Sequence, residues 1–167
     1  QSMIKLWQAE GIQLWNRRQA VLFPAYQDEQ YSISLTGDHC SNSYVSTTLS
    51  AAEAAAQIVL SVTSSTGMTA ADRIGIELDD GTRQWTTIVS VDSAIQITVT
   101  AALTGAAASG NTIVTYTNKI SDRPLRILDM RTIDLNNSKT SVTMENIGYD
   151  QYFNIPVKTS DGRPINF

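Results

Sequence analysis

His39 and Cys40 are the only histidine and the only cysteine of the chain, and they are adjacent. A thiol beside an imidazole is the pairing of a cysteine nucleophile with its base. Neighbouring residues on an extended backbone point to opposite sides, however, so these two are not placed to hydrogen-bond in those roles. They read as part of a polar loop, Thr36–Ser43. Asp72, Glu77, Asp79 and Asp80 are acidic neighbours that could hold a cation, but calcium loops space their ligands regularly around a glycine and this stretch does not. Asp79-Asp80-Gly81 is accounted for by turn chemistry. Gly105 and Gly110 enclose Ala-Ala-Ala-Ser without the lysine of a phosphate loop. Asn136-Asn137-Ser138 matches a glycosylation acceptor, yet no charged start followed by an apolar run marks a secretory signal. A single cysteine leaves no partner for an internal disulfide and no cysteine-based zinc site. No catalytic, metal or cofactor residues are expected.

Arg123, Arg126 and Arg131 form the remaining constellation, with Arg17 and Arg18 together further upstream. Their plain reading is a solvated face paired with Asp122, Asp129 and Asp134. The alternative is a contact surface for a partner protein or a DNA backbone. Trp7, Trp15, Phe23, Tyr149, Tyr152 and Phe153 are core residues by default, although tryptophan and tyrosine are also common interface anchors.

The elements that must position these residues change in texture along the chain. Residues 44–117 are rich in Ala, Ser, Thr and Gly, whereas the flanks hold most of the basic residues and all four prolines. The expected organisation is an inserted antiparallel β module at 44–117 within a discontinuous host domain, 1–43 plus 118–167. The fold class is mainly β: a small antiparallel β-barrel or sandwich inside an α+β host with a helical N-terminal segment. At 167 residues, 42% hydrophobic and 17% charged, the composition suits a globular domain. No apolar run is long enough for a transmembrane helix. The net charge of −4 offers no global basic field for nucleic acid. The chain begins at Gln1 in sequence that already reads as helical, which suggests that a further segment precedes it.

Met3, Leu6 and Trp7 lie at helical spacing, so Ser2–Glu10 reads as a helix ended by Gly11. Period-2 alternation predicts a strand at Tyr31–Leu35. In the module it predicts strands at Ser46–Leu49, Ile58–Val62, Asp72–Leu78, Thr82–Val91, Ile95–Thr100 and Thr112–Thr117. Ile74, Ile76 and Leu78 should share one face. Trp85, Thr87, Val89 and Val91 should share another, as should Ile95, Ile97 and Val99. Asp79-Asp80-Gly81 should form a type I′ hairpin, and Asp92-Ser93 the next tight turn. The alanine-rich stretches 51–56 and 101–108 read as loops or single turns. Leu125–Met130 reads as a strand covered on both faces, Asn136-Asn137 as a turn, Ser141–Met144 as a strand and Glu145–Ile155 as a helix. Ser160-Asp161-Gly162 reads as a turn leading into a strand at Pro164–Phe167.

Two segments carry a resemblance beyond composition. Met3-Ile-Lys-Leu-Trp-Gln-Ala-Glu-Gly-Ile-Gln-Leu-Trp15 resembles the end of the long helix and its extended exit in the head-to-tail adaptor (connector) proteins of tailed bacteriophages. Arg123-Pro-Leu-Arg-Ile-Leu-Asp129, Tyr152-Phe-Asn-Ile-Pro156 and Lys158-Thr-Ser-Asp-Gly-Arg-Pro164 are similar, in that order, to adaptors of short-tailed phages and related prophages. The stretches Asp72-Arg-Ile-Gly-Ile76 and Leu78-Asp-Asp-Gly-Thr82 look like β modules within such proteins.

The resemblance implies a structural virion protein assembled in the bacterial cytoplasm. It would form a homo-oligomeric, typically dodecameric ring, docked beneath the portal protein and receiving the tail nozzle protein, with viral DNA passing through. Met3, Leu6, Trp7, Arg123, Arg126 and Arg131 are then the candidate assembly contacts. A carbohydrate- or surface-binding β module, with Trp85 and Tyr116 as stacking platforms, is the alternative. An enzyme such as a lyase or peptidase would depend on His39 in its loop.

Overall fold

The structure, a computed structural model, describes residues 18–24, 30–121, 124, 127–133 and 141–154. The expected helix at Ser2–Glu10, the turn at Asn136-Asn137 and the final turn and strand lie outside these residues. The chain divides into two compact units, Gln1–Asp122 and Arg123–Phe167.

The first unit is built on six antiparallel strands: β3 (Val45–Thr48), β4 (Val59–Ser61), β5 (Arg73–Glu77), β6 (Arg83–Ser93), β7 (Gln96–Val99) and β8 (Thr112–Tyr116). They form one curled sheet, a half-barrel, in the order β3-β8-β5-β6-β7-β4. The two edge strands approach each other through a bridge between Leu49 and Val62, where Ser50 N donates to Ser61 O at 2.9 Å and Thr63 N to Thr48 O at 2.9 Å. The alanine-rich stretches are loops, as their composition suggests. A bridge between Glu53 and Ala107 ties one to the other.

Alternation explains the inner core. Ile74 and Ile76 of β5, Leu60 of β4, Ile97 and Val99 of β7 and Ile113 of β8 point into the concave side and are fully or almost fully buried together with Leu49, Val62 and Leu78. Burying a side chain of this size contributes about 1.5–3 kcal/mol, so this cluster dominates the module's stability.

The long strand β6 departs from simple alternation. Its pairing with β7 runs Ile88 to Val99 and then Ser90 to Thr98, which leaves Val89 as a bulge residue, and a second irregularity falls at Asp92. A bulge inserts one unpaired residue and breaks the period of two. Ile88 keeps the inward position set by Gln84 and Thr86, and Val89, 53% exposed, keeps the outer face of Trp85 and Thr87. After the bulge Val91 pairs with Ile97 and leaves that face, and Ile95, in the turn, is exposed rather than buried with Ile97 and Val99, contrary to the expected faces.

The turns differ in a similar way. Between β5 and β6, Gly81 N donates to Leu78 O and Leu78 N donates to Thr82 O, with φ of +82° at Gly81 alone. That is an ordinary turn followed by a glycine bulge rather than a type I′ turn. The next hairpin turns at Ala94-Ile95, because Ser93 still pairs with Gln96.

Outside the six-stranded sheet, β1 (Val21–Leu22) pairs with β2 (Cys40–Ser41). Residues 31–35 do not form the expected strand. Ser32 O accepts from Asp38 N and Ser34 O accepts from Gly37 N, so the backbone folds on itself as a loop instead of entering a ladder.

In the second unit, β9 (Arg131–Ile133) pairs with β10 (Ser141–Thr143). Residues 127–130 are not in a strand, and Leu128 is 61% exposed rather than covered. The helix α1 (Tyr149–Phe153) is shorter than its sequence pattern, since Gly148 N donates to Gln151 Oε1 and caps it there.

Ile113→Ala should lower the unfolding free energy by about 2–5 kcal/mol, the range for emptying a buried aliphatic site. Val89→Ala should change it by less than about 0.5 kcal/mol. Urea denaturation measures both, and equal losses would place Val89 in the core.

Candidate functional site

Gly75 sits in the middle of β5, directly opposite Trp85 of β6. A Cβ on Gly75 would lie 2.8 Å from Cη2 of the indole, so the ring lies across the glycine on the convex face of the sheet. The β1–β2 ribbon then places two further rings above it. His39 stacks on Trp85 with centroids 3.7 Å apart and planes 4° from parallel. Phe23 meets Trp85 edge-on at 5.6 Å and stacks on Tyr116 at 5.8 Å, while Tyr44 closes against Phe23 at 5.5 Å. The ribbon is held by Phe23 N donating to His39 O at 2.9 Å, Ser41 Oγ to Asn118 O at 2.8 Å and Lys119 Nζ to Gly37 O.

The polar edge of this cluster is a hydrogen bond between His39 Nδ1 and the Tyr116 hydroxyl at 2.5 Å. Burial lowers the His39 pKa from 6.5 to about 4, with the positive charges of Lys119 and Arg73 adding to the shift and Asp38 opposing it. Burial also pushes the Tyr116 phenol up to about 12. At neutral pH both groups are uncharged, which suits a packed contact. Cys40 lies in β2, paired with Leu22, and is buried with its thiol pKa raised. A raised pKa disfavours the thiolate, the reactive form. The pair His39-Cys40 is therefore part of a strand and its flank rather than a polar loop.

The acidic residues hold turns together. Asp79 Oδ1 accepts from Ala108 N at 2.7 Å and Asn111 Nδ2 at 2.9 Å. Asp80 Oδ1 accepts from Thr82 N at 2.8 Å and Thr82 Oγ1 at 2.6 Å, which lowers its pKa. Asp72 is different. It is 2% exposed, and its Oδ2 accepts from Thr69 N at 2.7 Å across a turn in which Ala71 has φ of +71°. Asp72 lines a cleft of about 110 Å3 at one end of β3, β5 and β8, with Ser43, Val45, Gly67, Thr115 and Thr117.

Of the expected assembly residues, Arg131 is exposed on β9 and its Nε donates to Asp129 Oδ2 at 3.3 Å. Met3, Leu6, Trp7, Arg123 and Arg126 lie outside the described residues. Tyr116 is buried and Trp85 carries His39 on its face, so neither ring is a free stacking platform. Sequence reasoning missed both the ring cluster and the Asp72–Thr115 cleft. The one available signal was Gly75 in a strand facing a tryptophan, since glycine inside a strand marks a close approach.

The chain matches no known protein-family model, no curated protein and no solved structure.

Two outcomes follow from the ring cluster. Gly75→Ala should cost about 1–3 kcal/mol by forcing the indole off the sheet, an overpacking penalty read by denaturation. Because the folded pKa of His39 lies below its unfolded value, its contribution is complete above pH 6.5 and is lost as pH falls towards about 4. The thermal midpoint of the native chain should therefore drop relative to that of His39→Phe across this window. Parallel curves would mean that the imidazole titrates normally.

Proposed function

We propose that this chain is a structural virion protein, one subunit of the ring that joins portal to tail in a tailed phage and surrounds the DNA passage. The observation that carries this reading is the apolar surface of the second unit. Among its described residues Met144 is buried, while Leu128 and Phe153 are 61% and 55% exposed and Ile133 and Val142 also face solvent. Ile133 pairs with Ser141 and Val142 with Thr132, so apolar side chains occupy both faces of a ribbon whose strands are three residues each. A two-stranded ribbon of this kind is marginal on its own and gains stability when another surface covers it. That is the requirement of a subunit completed by its neighbours through head-to-tail contacts that close into a ring.

The resemblance of residues 3–15, 123–129 and 152–164 to phage adaptors supports the same assignment. So does the net charge of −4, since a channel wall that neutralised many phosphates would hold DNA rather than pass it. In this reading the stripe Met3, Leu6 and Trp7 and the segment Arg123–Arg131 contact neighbouring subunits, the portal protein and the tail nozzle protein. No catalytic role is assigned to His39, Cys40 or the acidic turns.

Native mass measurement of the full-length protein mixed with its portal ring tests the proposal. A ring-on-ring complex is expected, and Leu128→Asp should weaken it at least about tenfold, as for an interface residue of high burial. Absence of any portal complex would overturn the assignment. A monomer in isolation would not, because template-driven assembly gives the same result.

A further inference from the structure

The β1–β2 ribbon lies over the convex face of the six-stranded sheet without joining its ladder. Its strands are two residues each and pair with one another in a sheet of their own. A ribbon so short is marginal without a surface to rest on. That surface is the ring cluster: His39 lies flat on Trp85, Phe23 stacks on Tyr116, and His39 Nδ1 shares a hydrogen bond with the Tyr116 hydroxyl. Further ties run to the segment that follows β8. Ile120 N donates to Cys40 O at 3.0 Å, Ser41 Oγ to Asn118 O at 2.8 Å, and Lys119 Nζ to Gly37 O. The ribbon is therefore held on the sheet largely by flat rings, and one of those rings can take up a proton.

We propose that the ribbon is an acid-released latch: protonation of His39 lifts it from the sheet and uncovers the rings of Trp85 and Tyr116, while the six-stranded core stays folded. The contact is built for a neutral imidazole. In that form Nδ1 can accept from the Tyr116 hydroxyl or donate to it, whereas an imidazolium can only donate. The charged and titratable groups around the ring are Lys119 after β8, Arg73 of β5, Asp38 of its own loop, Tyr116 of β8 and Cys40 of β2. Arg83 of β6, paired across the ladder with Glu77, flanks the indole beneath. A cation over an indole face is attractive in itself. Here burial strips water from the imidazole, Lys119 and Arg73 repel the added charge, and with only Asp38 opposing them the pKa falls from 6.5 to about 4. The latch is thus fully closed above pH 6.5 and weakens as pH falls towards about 4, because the ring recovers its ordinary affinity for a proton by leaving the sheet. That gap limits the effect to roughly a 300-fold fall in the ratio of closed to open ribbon, and to less for a half-buried ring. The concave core around Ile74, Ile97 and Ile113 is apolar and has no proton to gain, which separates its fate from that of the ribbon.

Amide hydrogen exchange of the full chain, read by NMR from about pH 7 to about pH 3.5 and corrected for intrinsic rates, tests the latch. Phe23 N and Ile120 N donate to His39 O and Cys40 O, and their protection should fall at least about tenfold over this range. Val62 N and Val99 N donate within the sheet to Ile95 O and Ile58 O, and theirs should change by less than about threefold. His39 is the only histidine, so its ring resonances report a single titration, whose midpoint should lie at about 4 and coincide with the loss of ribbon protection. His39→Phe keeps a flat ring on Trp85 without the titrating nitrogen and should hold both ribbon amides at their neutral-pH protection throughout. Ribbon amides that stay protected at the acid end, that fall together with Val62 and Val99, or that fall equally in His39→Phe each overturn the proposal. Should that variant not fold, an imidazole midpoint near 6.5 in the native chain, or one apart from the loss of protection, overturns it independently.

Discussion

A strand with no side chain at its centre holds the first unit together. β5 is buried on both faces, and Gly75 is what permits this: with no Cβ, the indole of Trp85 can lie against the backbone where any other residue would hold it away. The ring in turn carries His39 and Phe23, and through them the β1–β2 ribbon. Neighbouring β8 is buried along its whole length for the same reason, with aliphatic side chains on the concave side and aromatic rings on the convex side. The curled sheet thus has two cores back to back, one filled by branched aliphatics and the other by flat rings.

The six strands of the module were legible because each is a short run of β-branched residues between turn residues. Their inward faces at Ile74, Ile76, Ile97 and Val99 follow the period of two. What escaped the pattern has identifiable causes. The bulge at Val89 resets the alternation of β6, and nothing in the residue types announces it. Asp92-Ser93 looks like a turn, yet Ser93 still pairs with Gln96, and Asp92 is an unpaired residue of the strand whose carboxylate accepts from Ser90 Oγ and Thr98 Oγ1. The convex cluster joins Phe23 and His39 to Trp85 and Tyr116 across long stretches of sequence, which no local pattern encodes. In the Asp72–Thr115 cleft the residues are ordinary. The lack of a side-chain partner at Thr115 becomes visible only when the register sets it between Ile74 and Val45.

Several of the described polar residues tie turns and strands together. Asp79, Asp80 and Asp92 each accept from donors in nearby turns and hairpins, His39 and Tyr116 satisfy each other, and Glu53 Oε1 accepts from Ser61 N. Exposed apolar side chains occur in both units, Val89 and Ile95 in the first and Leu128 and Phe153 in the second, and Ile133 and Val142 lie on opposite faces of the second unit's small ribbon.

The Leu49–Val62 bridge has a consequence for how copies of this chain can meet. It ties the two outermost strands of the sheet to each other, and the lengths left beyond it are those of strands of four and three residues. Open strand edges are templates for indiscriminate pairing between molecules, the route to amyloid-like stacking at high local concentration. A sheet that ties its own edges together is protected from that fate, and ordered association through this sheet must be written in side chains rather than in backbone amides.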